Sequence, residues 1–376
     1  MSERNVALDR ARTALTVLVV IHHAVIPYTY YGYADKNRWV GFDGIILATD
    51  SFFMALFFFL SGLFTWPSLR RKSTASFLHD RLLRLGLPFA IAALTLMPLA
   101  YYALQPRDAN IGFAAYWWKT VTVGPWPSGP IWFVWVLLAF DTCAALLYRV
   151  APNCLEPINR LAQRAYSNPA LFFAFFLGVT TLAYVPMRLH YGTTYWFEFG
   201  GPLVVQASRV LLYACYFAIG VGVGLAALDK GLLSGEGQLA KRWGRWALVT
   251  LVAYSFLVML IVYKRGIALD PDHLPEWYEV AYSFALPLFS AAITFSFLAF
   301  YLHFDKPGTG FLDAMHEAAY GIFLIHYVPV LWMQYWLRDI DLPAGVKAAS
   351  LFVVGLFASW AVTAVLLRIP GARRVL

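Results

Sequence analysis

Arg12 stands eleven residues before His23, and both lie in or at the edge of the first apolar run of a 376-residue chain. On a helix, eleven steps of about 100° return to within about 20° of the start, some 16 Å along the axis. The two side chains therefore share one stripe, with Arg12 at the edge of the run and His23 about three turns deeper. The adjacent His22 is turned off that stripe by about 100°. The arrangement suits an elongated anionic ligand whose charged head stays at the edge while its reactive end reaches inward. Arginine binds phosphate well, and a neutral imidazole is a suitable general base. The same spacing also fits two packing histidines and an arginine that only sets orientation.

Further ionisable or polar residues interrupt apolar stretches, where they are costly and functional candidates by default. His326 ends the run Tyr320-Gly321-Ile322-Phe323-Leu324-Ile325 and is placed to share a pocket with His23. Asp141 and Asp50 are candidates to orient an imidazole or pair with an arginine, and structural polar contacts fit them equally. Ser61 and Gly62 close a phenylalanine-rich run and permit close helix approach. Arg81 and Arg84, spaced i and i+3, form a second basic patch. Walker, dinucleotide-binding, zinc-protease and Gly-x-Ser-x-Gly motifs are absent, and the eight histidines do not fall at metal-ligand spacings. Cys143, Cys154 and Cys215 are odd in number and far apart, which predicts buried, inert thiols.

The elements that must position these residues are membrane spans. Hydrophobic residues make up 60% of the chain and charged residues 13%, against about 25% charged in a soluble domain. The mean hydropathy is +0.62. Ten segments approach the roughly 20 apolar residues a spanning helix needs: 13–31, 45–66, 85–104, 130–149, 170–187, 204–227, 246–263, 281–301, 319–337 and 347–367. The first continues into Pro27-Tyr28-Thr29-Tyr30-Tyr31 with no small-residue cleavage site, so an uncleaved span is expected. Short loops join the spans and no internal repeat is visible, which predicts one all-α polytopic domain over 1–376 with no appended soluble module.

With the N-terminus inside, the inner segments hold 19 of the 29 Lys and Arg residues, leaving 10 outside. The positive-inside rule then puts both termini in the cytoplasm, as an even number of spans requires. The net charge of +8 is thus explained by orientation, and no motif points to nucleic acid. Trp39, Trp117, Trp118, Trp126, Trp196 and Trp277 fall in the outer segments, where an aromatic belt is expected and stacking on a sugar ring is the alternative.

Leu8-Asp9-Arg10-Ala11-Arg12, ten residues and then His23-Ala24 resembles the opening signature of the membrane-bound acyltransferase family 3, which includes the glucan-modifying membrane acyltransferases. Five further stretches resemble family motifs in family order: Leu56 to Gly62, Phe77 to Pro88, Gly129 to Val134, Phe217 to Gly220 and Tyr320 to His326. The resemblance implies a multi-pass protein of a bacterial cytoplasmic (inner) membrane. It implies transfer of a short acyl group, most commonly acetyl, from a cytoplasmic acyl-coenzyme A to a hydroxyl of a glycan, a lipid-linked molecule or another small acceptor. Acyl-coenzyme A would be a co-substrate, with no permanently bound cofactor and no metal. His23 would be the catalytic histidine and Arg12 essential. The second span departs from the usual motif, because Asp50 precedes the phenylalanine run.

The expectation is therefore an O-acyltransferase of groups other than aminoacyl groups. Arg12, Arg81 and Arg84 would hold the donor, His23 would act as base, and His326 would assist by orienting the acceptor or stabilising an oxyanion. Asp141, Asp50 and Ser61 would support the site. The rival is a transporter or flippase of a glycan or lipid intermediate; transporters often carry internal repeats, and none is visible here.

Overall fold

The computed structural model describes residues 5–32, 34–106, 110–226, 228–268, 270, 274–305 and 310–376. Arg4 and Lys306, counted above toward the positive side, lie outside the described residues. Among the described residues eight helices are long and apolar enough to cross a membrane. These are α1 (Val6–Val25), α2 (Val40–Gly62, running on into a short α3, Thr65–Arg71) and α4 (Thr74–Tyr102). After a short α5 (Phe113–Thr122) come α6 (Trp132–Val150), a surface helix α7 (Glu156–Arg164) and α8 (Pro169–Tyr191). A shorter apolar helix, α9 (Val210–Val223), is followed by α10 (Trp243–Gly266) and α11 (Glu276–His303). Then come α12 (Ala319–Ile325), α13 (Tyr327–Leu337) and the long α14 (Ala344–Leu366).

Three of the ten expected segments differ from the simple pattern. The stretch 204–227 does not begin as helix. Val204–Gln206 pairs antiparallel with Trp196–Glu198 in a two-stranded hairpin, Trp196 opposite Gln206, so the helical part is confined to Ala207–Val223. The stretch 319–337 is one helical path interrupted at His326. Pro329 cannot donate to the carbonyl of Ile325, and the His326 ring takes the carbonyl of Phe323 at 2.8 Å. The third segment starts earlier than expected, at Thr74, so Arg81 and Arg84 belong to the spanning helix itself. Its backbone widens into π turns at Leu82–Gly86 and Ala92–Leu96. Each precedes a proline, Pro88 or Pro98, whose ring crowds a regular helical turn.

Helices α1, α2 and α11 form the interior, whereas α8, α10 and α14 turn most of their apolar surface outward. Leu182 on α8 is 78% exposed, which is the inside-out polarity of a lipid-facing helix. The thiols depart from expectation. Cys143 and Cys154 are exposed and Cys215 is half-buried, because Cys143 lies on the outward face of α6 and Cys154 lies in a surface turn. The N-terminal half of α1 and the final residues Val375 and Leu376 line one pocket, so both ends of the described chain sit on the same face.

The closest approach in the fold is between α2 and α9. A Cβ at Gly220 would lie 2.2 Å from the carbonyl oxygen of Phe59, and one at Gly62 would lie 2.3 Å from that of Phe217. Backbone meets backbone here, so no side chain can yield. Gly220→Val is expected to destabilise the protein by at least the roughly 1–3 kcal/mol typical of overpacking, read as a lower apparent unfolding temperature in detergent. Gly178→Ala, on α8 with nothing within 4 Å of its Cβ, is the control and should not lower it.

Candidate active site: a basic pocket and a histidine pair

A pocket of about 580 Å³ opens on the face that carries the chain ends. Arg12 from α1, Ser61 from α2, Arg71 from α3 and Arg81 and Arg84 from α4 all line it, with Lys72 at its rim. Five basic residues face three acidic ones, Asp9, Asp80 and Glu317, and Lys72 is paired with Asp80. The residues expected to hold a donor are thus brought together from separate helices.

Arg12 and Arg81 are each fixed by side-chain contacts. Arg12 donates from Nη2 to the carbonyl of Leu60 at 3.0 Å, and its guanidinium lies 4.4 Å from the centroid of the Phe64 ring. Arg81 places Nε 3.1 Å from Asp141 Oδ2 and stacks over Phe77. Asp141 is buried and also accepts from the Thr65 hydroxyl at 2.9 Å. Asp141 therefore sits behind Arg81 and touches no histidine among the described contacts. The Tyr320 hydroxyl donates to the carbonyl of Arg84 at 2.9 Å, tying α12 to the π turn of α4. A group of guanidinium donors on several elements is a fitting environment for a phosphorylated ligand.

Deeper along α1, the His23 and His326 rings meet across 303 residues of sequence, with His23 Nδ1 3.1 Å from His326 Nε2. Their partners settle where the protons lie when both rings are neutral. His326 Nδ1 faces only carbonyl oxygens, Phe323 at 2.8 Å and Ile322 at 3.2 Å, so it must carry its proton and donate. His326 Nε2 is then a bare acceptor. His23 Nδ1 faces that acceptor and the carbonyl of Val19 at 2.9 Å, so it too must be the protonated nitrogen. His23 Nε2 is left with a free lone pair, the state a general base requires. His326 has spent its Nε2 on His23, so it cannot stabilise an oxyanion with that atom. Tyr327 adds an edge-on ring contact to His23 at 4.9 Å.

His22 points elsewhere, as its rotation about α1 requires. Its Nδ1 pairs with the Thr49 hydroxyl at 2.8 Å and its ring packs on Phe53. Asp50 does not join the pocket. It forms an ion pair with Arg209, which also donates to its backbone carbonyl at 2.7 Å. Sequence reasoning counted Arg71 and Lys72 only toward orientation, and it did not see Tyr327. Adjacent to His326, Tyr327 becomes visible only once the partner of His326 is known. Among the described residues no group of three His, Cys, Asp or Glu side chains could hold a metal ion.

A search of the curated proteins returns no match. The family described as an acyltransferase domain matches residues 5–368, which takes in Arg12, the whole basic pocket except the last two residues, and both histidines. With nearly the whole chain covered, and with every long helix inside the match, the chain belongs to the membrane acyltransferase family 3.

Proposed function

We propose that this membrane acyltransferase moves a short acyl group, acetyl first among them, from a cytoplasmic acyl-coenzyme A to a hydroxyl of a glycan or lipid-linked acceptor that approaches from the opposite face. The observation that carries the reading is the alignment of Arg12 and His23 on one side of α1: Arg12 faces the basic pocket and His23 faces His326. The pocket arginines would hold the phosphates of the donor. The acyl end would reach inward toward His23.

The reaction balances on one histidine. His23 Nε2 takes the proton of the acceptor hydroxyl as its oxygen attacks the thioester carbonyl. The tetrahedral intermediate expels the coenzyme A sulfur, which receives that proton back from His23 and leaves as the thiol. His326 acts as a positioning residue. It holds Nδ1–H of His23 toward itself and lends its Nε2 lone pair to the transient imidazolium. Arg81, held by Asp141 and Thr65, and Arg84 complete the donor site, and Ser61 lines it without a charge. Asp50 serves the fold through Arg209. Enclosure of the reacting groups would keep water from the thioester.

Release of coenzyme A from acetyl-coenzyme A by protein in nanodiscs, supplied with a membrane glycan extract, tests the assignment. His23→Ala should lose roughly 10²–10⁴-fold, the usual contribution of a general base, while His22→Ala changes the rate little. Turnover that survives His23→Ala and dies with His22→Ala would overturn the face assignment. His326→Gln, which keeps an acceptor for the Nδ1 proton, should retain more activity than His326→Ala; equal loss in both would make His326 a proton carrier in its own right. Arg12→Ala should weaken acetyl-coenzyme A binding roughly 10–100-fold, as expected for a lost charge-assisted contact, in an equilibrium binding assay that needs no acceptor. Unchanged binding would remove Arg12 from the donor site. The mass of the surface glycan with and without the gene would then identify the acyl group and the acceptor class.

A further inference from the structure

Three phenylalanine rings close the inner end of the basic pocket. Phe57 comes from α2, Phe133 from α6 and Phe323 from α12, and all three line the pocket. Their centroids form a near-equilateral triangle, with separations of 5.7 Å, 6.1 Å and 5.7 Å. Phe323 lies beyond the pocket as well, with its ring 6.2 Å from that of His326. His23 and His326 do not line the pocket. Phe323 thus borders both the arginine-lined pocket and the histidine pair, and the triangle stands where the two adjoin.

The spacing decides what can pass. A methylene chain threaded through the centre of the triangle needs a van der Waals contact of about 3.5–4.0 Å to each ring. The centre of a triangle with these sides lies about 3.4 Å from each centroid, short by a few tenths of an ångström. Opening is thus required, and it is small. Phe323 is the ring best placed to supply it. Its helix is only seven residues long and is bounded by a 3-10 turn at His316–Ala318 and the Pro329-associated break at His326. Phe57 sits well inside the long α2, and Phe133 lies in the first turn of α6, after a 3-10 turn at Gly129–Ile131.

We propose that Phe57, Phe133 and Phe323 form an acyl-selectivity filter between the donor pocket and His23, open enough in the working enzyme for a short acyl thioester and closed to long chains. It rests on the donor reading above and goes beyond it by assigning the residues that set chain length. A purely structural role for the three rings would show in stability and leave chain-length preference alone.

The test is a panel of acetyl-, butyryl- and octanoyl-coenzyme A with protein in nanodiscs. Phe133→Leu, Phe323→Leu and Phe323→Ala should raise kcat/KM for octanoyl relative to acetyl at least 10-fold. Phe57→Trp should lower butyryl relative to acetyl. Binding of free coenzyme A, whose phosphates would lie on the arginine side, should persist in every variant to within a few-fold, since the rings line the same pocket, and reports that each is folded. The leucine variants keep most of the ring volume and cover the case in which the alanine variant does not fold. A variant that binds coenzyme A normally and keeps the wild-type chain-length profile overturns the filter while leaving the donor reading intact. A wild-type protein that neither binds nor turns over any acyl-coenzyme A overturns both.

Discussion

The hydrocarbon core of a bilayer offers no water to a polar group, so every such group in a span must find its partner inside the protein. This constraint organises the fold. Lys347, with none of its side chain exposed, meets Asp35 at 2.7 Å and ties α14 to the segment after α1. Asp50 meets Arg209 and ties α2 to the turn that opens α9. Asp141 meets Arg81 and Thr65 and ties α6 to α4 and α3. His22 meets Thr49, and His326 meets both its own backbone and His23. Each pair is costly to break singly, because the abandoned partner would be left in a medium that cannot solvate it.

Arg12 and His23 lie in the regular helix α1, but two of the residues that face them lie where helices are irregular. Arg84 belongs to a π turn and His326 to a break associated with Pro329. Such irregularities free backbone groups, and here nearby side chains use them: Tyr320 takes the carbonyl of Arg84 and His326 takes that of Phe323. Regular packing lies elsewhere, most tightly at the glycine contact between α2 and α9. The rigid α2 carries Phe57 and Ser61 into the pocket, while the short α12 carries Phe323 and leads into His326. Phe57 and Phe323 thus meet in the pocket wall, their ring centroids 6.1 Å apart.

Much of the span pattern was legible because it depends on local composition. The rotation of His22 away from His23 was also legible, since one helix determines both. His326 was legible as a pocket-mate of His23, and Asp50 as a partner for an arginine. What the sequence concealed was which atoms meet and that the arginine is Arg209, because both depend on how helices assemble. The hairpin at Trp196–Gln206 was hidden for another reason: Val204 and Val205 are apolar and lie next to an apolar helix, so hydropathy absorbed them into a span. The early start of α4 was hidden by its charge: Arg81 and Arg84 read as one basic helical face but fell outside the apolar stretch that set the span boundary.

The histidine pair has a consequence for what the protein must carry at rest. A base oriented by a carboxylate keeps a full negative charge buried beside it through every idle moment. Here the orienting group is a second imidazole, anchored by backbone carbonyls. With both rings neutral, the pair needs no counter-ion at that depth. Charge would appear there only while an acceptor proton is held, and it would vanish with the departing thiol. A site built this way stays electrically silent inside the membrane until a substrate supplies the proton.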